Sequence, residues 1–274
     1  MRIAVTGSSG KLGSVFISAA LARGCNIISI DRKPSESAAN HERLQTHHFD
    51  LADFSNTLTA LKGADALVHM ATHGPPGIDS DERLHNNNVT ASYNVLRAAA
   101  ELGISRVCMA SSVNAIGMLY SREPRFDYFP IDEKHASYTE DPYSLSKWIA
   151  ESQAQSFARR YPKMSIASLR FHWVVADSSV ARKAYASNIK TAANQLWGYT
   201  PLAMAVDASL ASLTAAFAGH EVLNVVAPDS AVEDASLTLA SRYYPSVPIV
   251  GDLSGRRSFF DTSKASQLLK CHSD

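Results

Sequence analysis

The stretch Thr6-Gly7-Ser8-Ser9-Gly10-Lys11-Leu12-Gly13 follows a short apolar run, residues 2–6, and opens a segment with apolar residues at helical spacing, residues 12–23. A chain passing from strand to helix here must turn tightly and bring backbone N–H groups up to an anion. Glycine meets both demands. Gly7 permits the turn, Gly10 keeps a side chain out of a phosphate's path, and Gly13 lets the helix lie close to the sheet; Ser9, Lys11 and Leu12 complete the loop. The G-x-x-G-x-x-G spacing points to a dinucleotide pyrophosphate seated at a helix N-terminus.

Asp31 closes the next candidate strand, residues 26–30. A carboxylate there accepts hydrogen bonds from ribose hydroxyls and repels a 2′-phosphate, which favours NAD; Arg32, directly after it, can pair with such a phosphate and leaves NADP open. Further candidate strands at 46–49, 66–70, 106–110 and 165–170 alternate with helical stretches at 55–61, 86–102 and 143–161. Six strands with intervening helices predict an α/β, doubly wound parallel sheet whose ligands bind along one edge. Beyond Arg170 the pattern loosens. Residues 176–191, 201–218 and 236–243 read as helices and 222–226 as a strand. The expected organisation is a dinucleotide-binding domain over residues 1–170 and a smaller, partly discontinuous lobe over 171–274. The long segment 118–141 carries Tyr120, Phe126, Tyr128 and Phe129, which predicts a packed flap.

Of the 274 residues, 46% are hydrophobic and 19% charged, and 26 Lys and Arg balance 26 Asp and Glu. Zero net charge without blocks of like charge gives no footprint for nucleic acid or an anionic membrane surface, so a small-molecule substrate is expected. No run approaches the ~18 apolar residues of a membrane span. Cys25, Cys108 and Cys271 are far apart and in no ligand spacing, which suggests neither a disulfide framework nor a metal site. The opening MRIAVTGSSG already reads as a strand and turn with no room for a secretory leader. A cytoplasmic protein is expected.

Asp141-Pro142-Tyr143-Ser144-Leu145-Ser146-Lys147 opens a helix with Pro142 near its first position. Tyr143 and Lys147, four apart, share one helical face. An ammonium beside a phenol favours the phenolate and is expected to draw the tyrosine pKa towards neutrality, making Tyr143 a general acid and base. Ser112, at the end of the strand Ala110-Ser111-Ser112, can hold a substrate oxygen by hydrogen bond.

These motifs, in this order, resemble the extended branch of the short-chain dehydrogenase/reductase family, the NAD-dependent epimerase/dehydratase group. The resemblance runs along nearly the whole chain: the glycine loop, Asp31, Asp50-Leu51, His69-Met70-Ala71-Thr72, Asn88, Ser111-Ser112, Tyr143…Lys147, Leu169-Arg170 and Phe260-Asp261-Thr262-Ser263-Lys264-Ala265. It implies a Rossmann-type sheet with a small C-terminal substrate-binding lobe. It also implies a Ser112, Tyr143 and Lys147 triad with Asn88 in the proton relay, and cofactor contacts from Asp50, Leu51, Met70, Ala71, Thr72, Ala110 and Phe171. The implied reaction is NAD(P)-dependent hydride transfer with a small carbonyl or secondary alcohol. An epimerase or isomerase with retained NAD, and a non-catalytic dinucleotide sensor, are the alternatives.

Family dehydratases carry an Asp-Glu pair after the serine, and decarboxylases a glutamate at the second of those places; Val113 and Asn114 stand there, against both chemistries. The short length is similar to uronate-dehydrogenase-like members, in which an asparagine follows the serine where this chain has Val113. Arg182 could bind a carboxylate, or equally be a solvated helix arginine. His172 and Trp173 are expected at the nicotinamide end of the cleft, and Trp173 with Val113, Phe171 and Val174 gives a site more apolar than a sugar would need. The resemblance also implies a homodimer formed through the helices that carry Asn88 and Tyr143.

Overall fold

In β1 (Arg2–Thr6), Ile3 and Val5 pack into one hydrophobic cluster and Ala4 into another, and all three are fully buried. A strand buried on both faces needs helices above and below it. The computed structural model describes residues 1–34 and 41–270, so Cys271 lies outside the described residues. After β1 come α1 (Lys11–Ala22), β2 (Asn26–Asp31), β3 (Leu44–His48), α2 (Phe54–Ala60), β4 (Ala66–His69), α3 (Asp81–Leu102) and β5 (Arg106–Ser112). A short helical turn (Val113–Ile116) leads through the flap to α4 (Pro142–Arg160) and β6 (Ser165–Phe171). The remainder is β7 (Val174–Val175), α5 (Ser178–Ser187), α6 (Ile189–Asn194), β8 (Thr200–Pro201), α7 (Leu202–Ser212), β9 (Gly219–Val225), α8 (Ser236–Tyr243) and α9 (Ser263–Leu269).

The main sheet is parallel throughout, in the order β3-β2-β1-β4-β5-β6-β9. The chain moves outward from β1 in one direction to β3, then returns to β4 on the other side. The strand order therefore reverses between β1 and β4, which opens a crevice at their C-terminal ends. Residues of α1, α7 and α9 pack on one face, and those of α2, α3 and α4 on the other. This is the expected doubly wound sheet with one strand more than the six expected. An expected boundary at residue 170 does not divide it, because β9 pairs with β6 over Ser165–Phe171. β6 is buried at every position, so its outer edge needs a further strand to satisfy its backbone.

The predicted helix over 176–191 is broken at Asn188, whose backbone is extended (φ −148°) and whose side chain accepts from the Thr191 N–H at 3.0 Å to cap α6. The flap packs as its aromatics predict. Phe126 meets Tyr244 edge-on at 5.2 Å and Phe129 meets Phe259 at 5.0 Å, joining residues before α4 to the region beyond β9 in one core.

α4 is tied to the sheet by a buried ion pair. Arg170 on β6 donates to Glu151 through Nε at 2.9 Å and Nη2 at 2.7 Å, and the Ser111 hydroxyl donates to the same carboxylate at 2.5 Å. Glu151→Ala leaves a buried guanidinium without a counter-charge and should cost about 3–5 kcal/mol of unfolding free energy. Urea denaturation of this variant beside Glu151→Gln, which keeps a hydrogen-bond acceptor and should lose less, checks the value.

Candidate active site

The glycine turn is fixed by close approach. Gly7 has φ +71°, and a Cβ there would lie 2.4 Å from the backbone nitrogen of Ala71; a Cβ on Gly13 would lie 2.2 Å from the Gly7 carbonyl oxygen. β1, β4 and α1 meet with no room for side chains, leaving a cleft of about 370 Å³ at the start of α1. Gly7, Gly10, Lys11, Leu12 and Gly13 line one end of it. Asp31, Arg32, Asp50 and Leu51 line the side beyond β2, and Met70, Ala71, Thr72 and Asn88 the side beyond β4. Ala110, Ser112, Tyr143, Lys147 and Phe171 line the far end, with His172. Ser9 does not line the cleft; its N–H donates to Asp31 Oδ2 at 3.0 Å. An elongated cleft with a side-chain-free turn and helix N-terminus at one end, and an acidic strand end along its flank, fits a dinucleotide.

At the other end, Asp141 caps α4 by accepting from the Ser144 N–H at 2.8 Å, and Pro142 sets the first turn. This aims Tyr143 and Lys147 at the end of β5. The Ser112 side chain lies near the Tyr143 hydroxyl and acts to lower its pKa. Ser112 Oγ accepts from the backbone N–H and side-chain amide of Asn114, at 3.1 and 3.3 Å. Lys147 Nζ donates to the Ala110 carbonyl at 2.9 Å and stands 5.6 Å from the centre of the Tyr143 ring. Asn88 accepts from the His73 N–H at 2.6 Å and donates to Ser146 Oγ at 3.1 Å, pinning the loop after β4 to α4.

The electrostatics depart from expectation. Burial pushes the Tyr143 phenol up to about 12, against the lowering effect of Ser112. Burial likewise pulls Lys147 down to about 8, with Glu151 one turn along opposing the shift. Desolvation dominates at both groups, and Lys147 points past the phenol to a carbonyl. At neutral pH the phenol holds its proton and the lysine remains charged.

A second cavity, of about 440 Å³, adjoins the first. Ser112, Tyr143, His172 and Val174 line both. Val113, Asn114 and Trp173 line the second cavity, and Trp173 is 39% exposed. His172 is tied at both nitrogens: Nδ1 accepts from the Trp173 N–H at 2.6 Å and Nε2 donates to the Gln195 carbonyl at 2.8 Å. Burial pulls its pKa down to about 4, so the ring is neutral and fixed. Arg182 lines neither cavity. Its guanidinium donates to the Ala231 carbonyl at 3.0 Å and pairs with Glu233 at 2.7 Å.

Sequence reasoning missed the rest of the second cavity: Met118, Leu119 and Tyr120 from the flap, and Ala184, Tyr185, Thr191 and Gln195 from α5, α6 and the turn after α6. The aromatic content of the flap was a signal for Tyr120. No motif marks the others, which reach the site only through folding of the lobe.

Fold and site together define a dinucleotide-dependent enzyme of the short-chain dehydrogenase type. Residues 3–206 match the family model described as the NAD dependent epimerase/dehydratase family, and the chain belongs to that family. A dTDP-6-deoxy-L-talose 4-dehydrogenase (NAD(+)) from Aggregatibacter actinomycetemcomitans is 24% identical over 205 residues, 74% of this chain and 72% of that protein. Cinnamoyl-CoA reductase 1 of Petunia hybrida is 28% identical over 57% of this chain, which spans only 50% of that protein's length. Among solved structures, a short-chain dehydrogenase/reductase superfamily protein from Agrobacterium tumefaciens with bound NAD shares the fold. It gives a TM-score of 0.75 at 21% identity, over 100% of this chain and 93% of that one.

Because burial holds Tyr143 high, its phenolate should form with a midpoint at about pH 12 in the protein alone. Saturation with oxidised dinucleotide, whose ring is cationic, should lower that midpoint. Phenolate difference absorbance of wild type minus Tyr143→Phe, with and without NAD⁺, reads both.

Proposed function

We propose that the protein transfers a hydride between a nicotinamide dinucleotide and a small carbonyl or secondary alcohol, with Tyr143 as general acid and base. The observation that carries this reading is the meeting of two cavities at Ser112 and Tyr143: one fits a dinucleotide, and the other is open for a substrate. The bound dinucleotide supplies or accepts the hydride. A substrate oxygen lying between the Ser112 hydroxyl and the Tyr143 hydroxyl is held by the first and exchanges a proton with the second. In reduction, the phenol is already protonated at neutral pH. In oxidation the base is the Tyr143 phenolate, the form favoured by the Lys147 ammonium and the cationic ring of the oxidised cofactor. Asn88 acts as a positioning residue through its bonds to His73 and Ser146. The lobe beyond residue 170, joined by the flap, supplies the substrate-facing walls.

NAD is the preferred dinucleotide in this reading. Asp31 borders the cleft and accepts from the N–H groups of Ser9 and Lys33 at 3.0 and 3.1 Å, so a 2′-phosphate beside it would meet fixed negative charge. The Arg32 guanidinium stands 3.7 Å from Asp50, which partly counters its pull on such a phosphate. We also read the protein as a cytoplasmic homodimer. Among the described residues no helix is long and apolar enough to cross a membrane, and Cys25 and Cys108 are free. Tyr93, Leu145 and Trp148 stand exposed on α3 and α4, the two helices the family pairs across a two-fold axis.

Tyr143→Phe should lower kcat/KM by roughly a hundred- to ten-thousand-fold while leaving dinucleotide affinity nearly unchanged. Equal turnover by variant and wild type removes Tyr143 from the reaction. Calorimetry should give NAD⁺ an affinity on the order of tenfold above NADP⁺, with the gap closing in Asp31→Ser. Sedimentation should show a dimer that Trp148→Lys dissociates; a wild-type species of one-chain mass would rule the dimer out.

A further inference from the structure

The second cavity carries information about what enters it. Resting on the hydride-transfer reading above, we propose that the reacting carbonyl or secondary alcohol belongs to a neutral, aromatic small molecule. The class follows from what the walls offer and what they lack.

None of the residues lining this cavity is Lys, Arg, Asp or Glu. The one histidine, His172, has both nitrogens engaged with the backbone and supplies neither a cation nor a free donor. Arg182, a sequence candidate for holding a carboxylate, is spent on Glu233 and the Ala231 carbonyl and lies outside this cavity. A carboxylate or diphosphate in this space would be desolvated without a counter-ion, which protein sites avoid.

Much of the wall is apolar or aromatic. Val113, Met118 and Leu119 come from the segment after β5, and Trp173 and Tyr185 from beyond β6. Trp173 and Tyr185 meet edge to face at 6.1 Å, and Tyr120 meets the Tyr143 ring edge to face at 5.7 Å. Ring edges and faces arranged around an open space suit a flat aromatic body. The Asn114 amide is used internally, accepting from the Leu119 N–H at 3.0 Å and donating to Ser112. The polar side chains left on these walls without a hydrogen-bond partner among the described residues are those of Tyr120, Thr191 and Gln195. These neutral groups match one or two ether, hydroxyl or amide substituents. A pyranose brings a hydroxyl on almost every carbon, and several would be buried unpaired.

In the reductive direction the carbonyl carbon gains a hydride from the reduced dinucleotide and the oxygen gains the Tyr143 proton. The products are a secondary alcohol and the oxidised dinucleotide, and Tyr143 is reprotonated from solvent. The oxidative direction reverses each transfer.

The test pairs turnover with binding on the whole protein. Substrates are acetophenone, 4-acetylbenzoate as its charged counterpart, glucuronate and UDP-glucose, each with the matching reduced or oxidised dinucleotide. Binding is read separately as quenching of tryptophan fluorescence by 1-phenylethanol in the presence of NADH, a combination that cannot react. Acetophenone should exceed 4-acetylbenzoate in kcat/KM by on the order of a hundredfold, and Leu119→Arg should shrink that ratio at least about tenfold. Quenching by 1-phenylethanol should be lost in Trp173→Phe, a replacement at a partly exposed position that the fold should tolerate. Binding of 1-phenylethanol without turnover of any compound supports the substrate class and overturns the hydride-transfer reading. Turnover of glucuronate or UDP-glucose at least equal to that of acetophenone overturns the class and leaves hydride transfer standing. Absence of 1-phenylethanol binding also overturns the class.

Discussion

One stripe of α4 is fastened to the ends of β5 and β6, and the site depends on that attachment. Tyr143, Lys147 and Glu151 follow one another at four-residue intervals, so they project from the same side of the helix. The first reaches Ser112, the second the Ala110 carbonyl, the third Ser111 and Arg170. All four partners lie towards the C-terminal ends of neighbouring parallel strands, β5 and β6. The buried Glu151–Arg170 pair sets the helix against the sheet, and the two residues before it along the stripe are thereby delivered to the crevice.

The same burial that fixes these groups determines their protonation. Tyr143 is driven up and Lys147 down, each away from its charged form. A site built this way holds a protonated phenol at neutral pH. Ser112 is oriented by two donors from Asn114, which leaves its own proton for an acceptor in front of it.

The second cavity has a different origin from the first. The dinucleotide cleft lies where strand order reverses, a consequence of topology and of glycines that let β1, β4 and α1 touch. The second cavity forms between the flap after β5 and the helices after β6, held together by a core of Phe126, Phe129, Trp197, Tyr244 and Phe259. Its walls come from segments with no common motif, and their chemistry is set by which side chains that core turns inward.

The glycine loop, the apolar strands and the Tyr143…Lys147 spacing are local patterns, each tied by backbone geometry to a strand, a turn or a helix face. They were sufficient for the parallel sheet and for the place of the cleft, since neighbouring strand ends in such a sheet must converge on one edge. Tertiary structure alone decided what depended on distant segments. β9 joined the sheet because β6 had an edge to satisfy, Asn188 broke a helix by capping the next one, and Arg182 found Glu233 instead of the site. Proximity of Tyr143 to Lys147 suggested a lowered phenol pKa, yet desolvation, which no spacing encodes, drove it the other way. Local periodicity specifies where a side chain leaves the backbone; its partners and its loss of water are set only when the remainder of the chain closes around it.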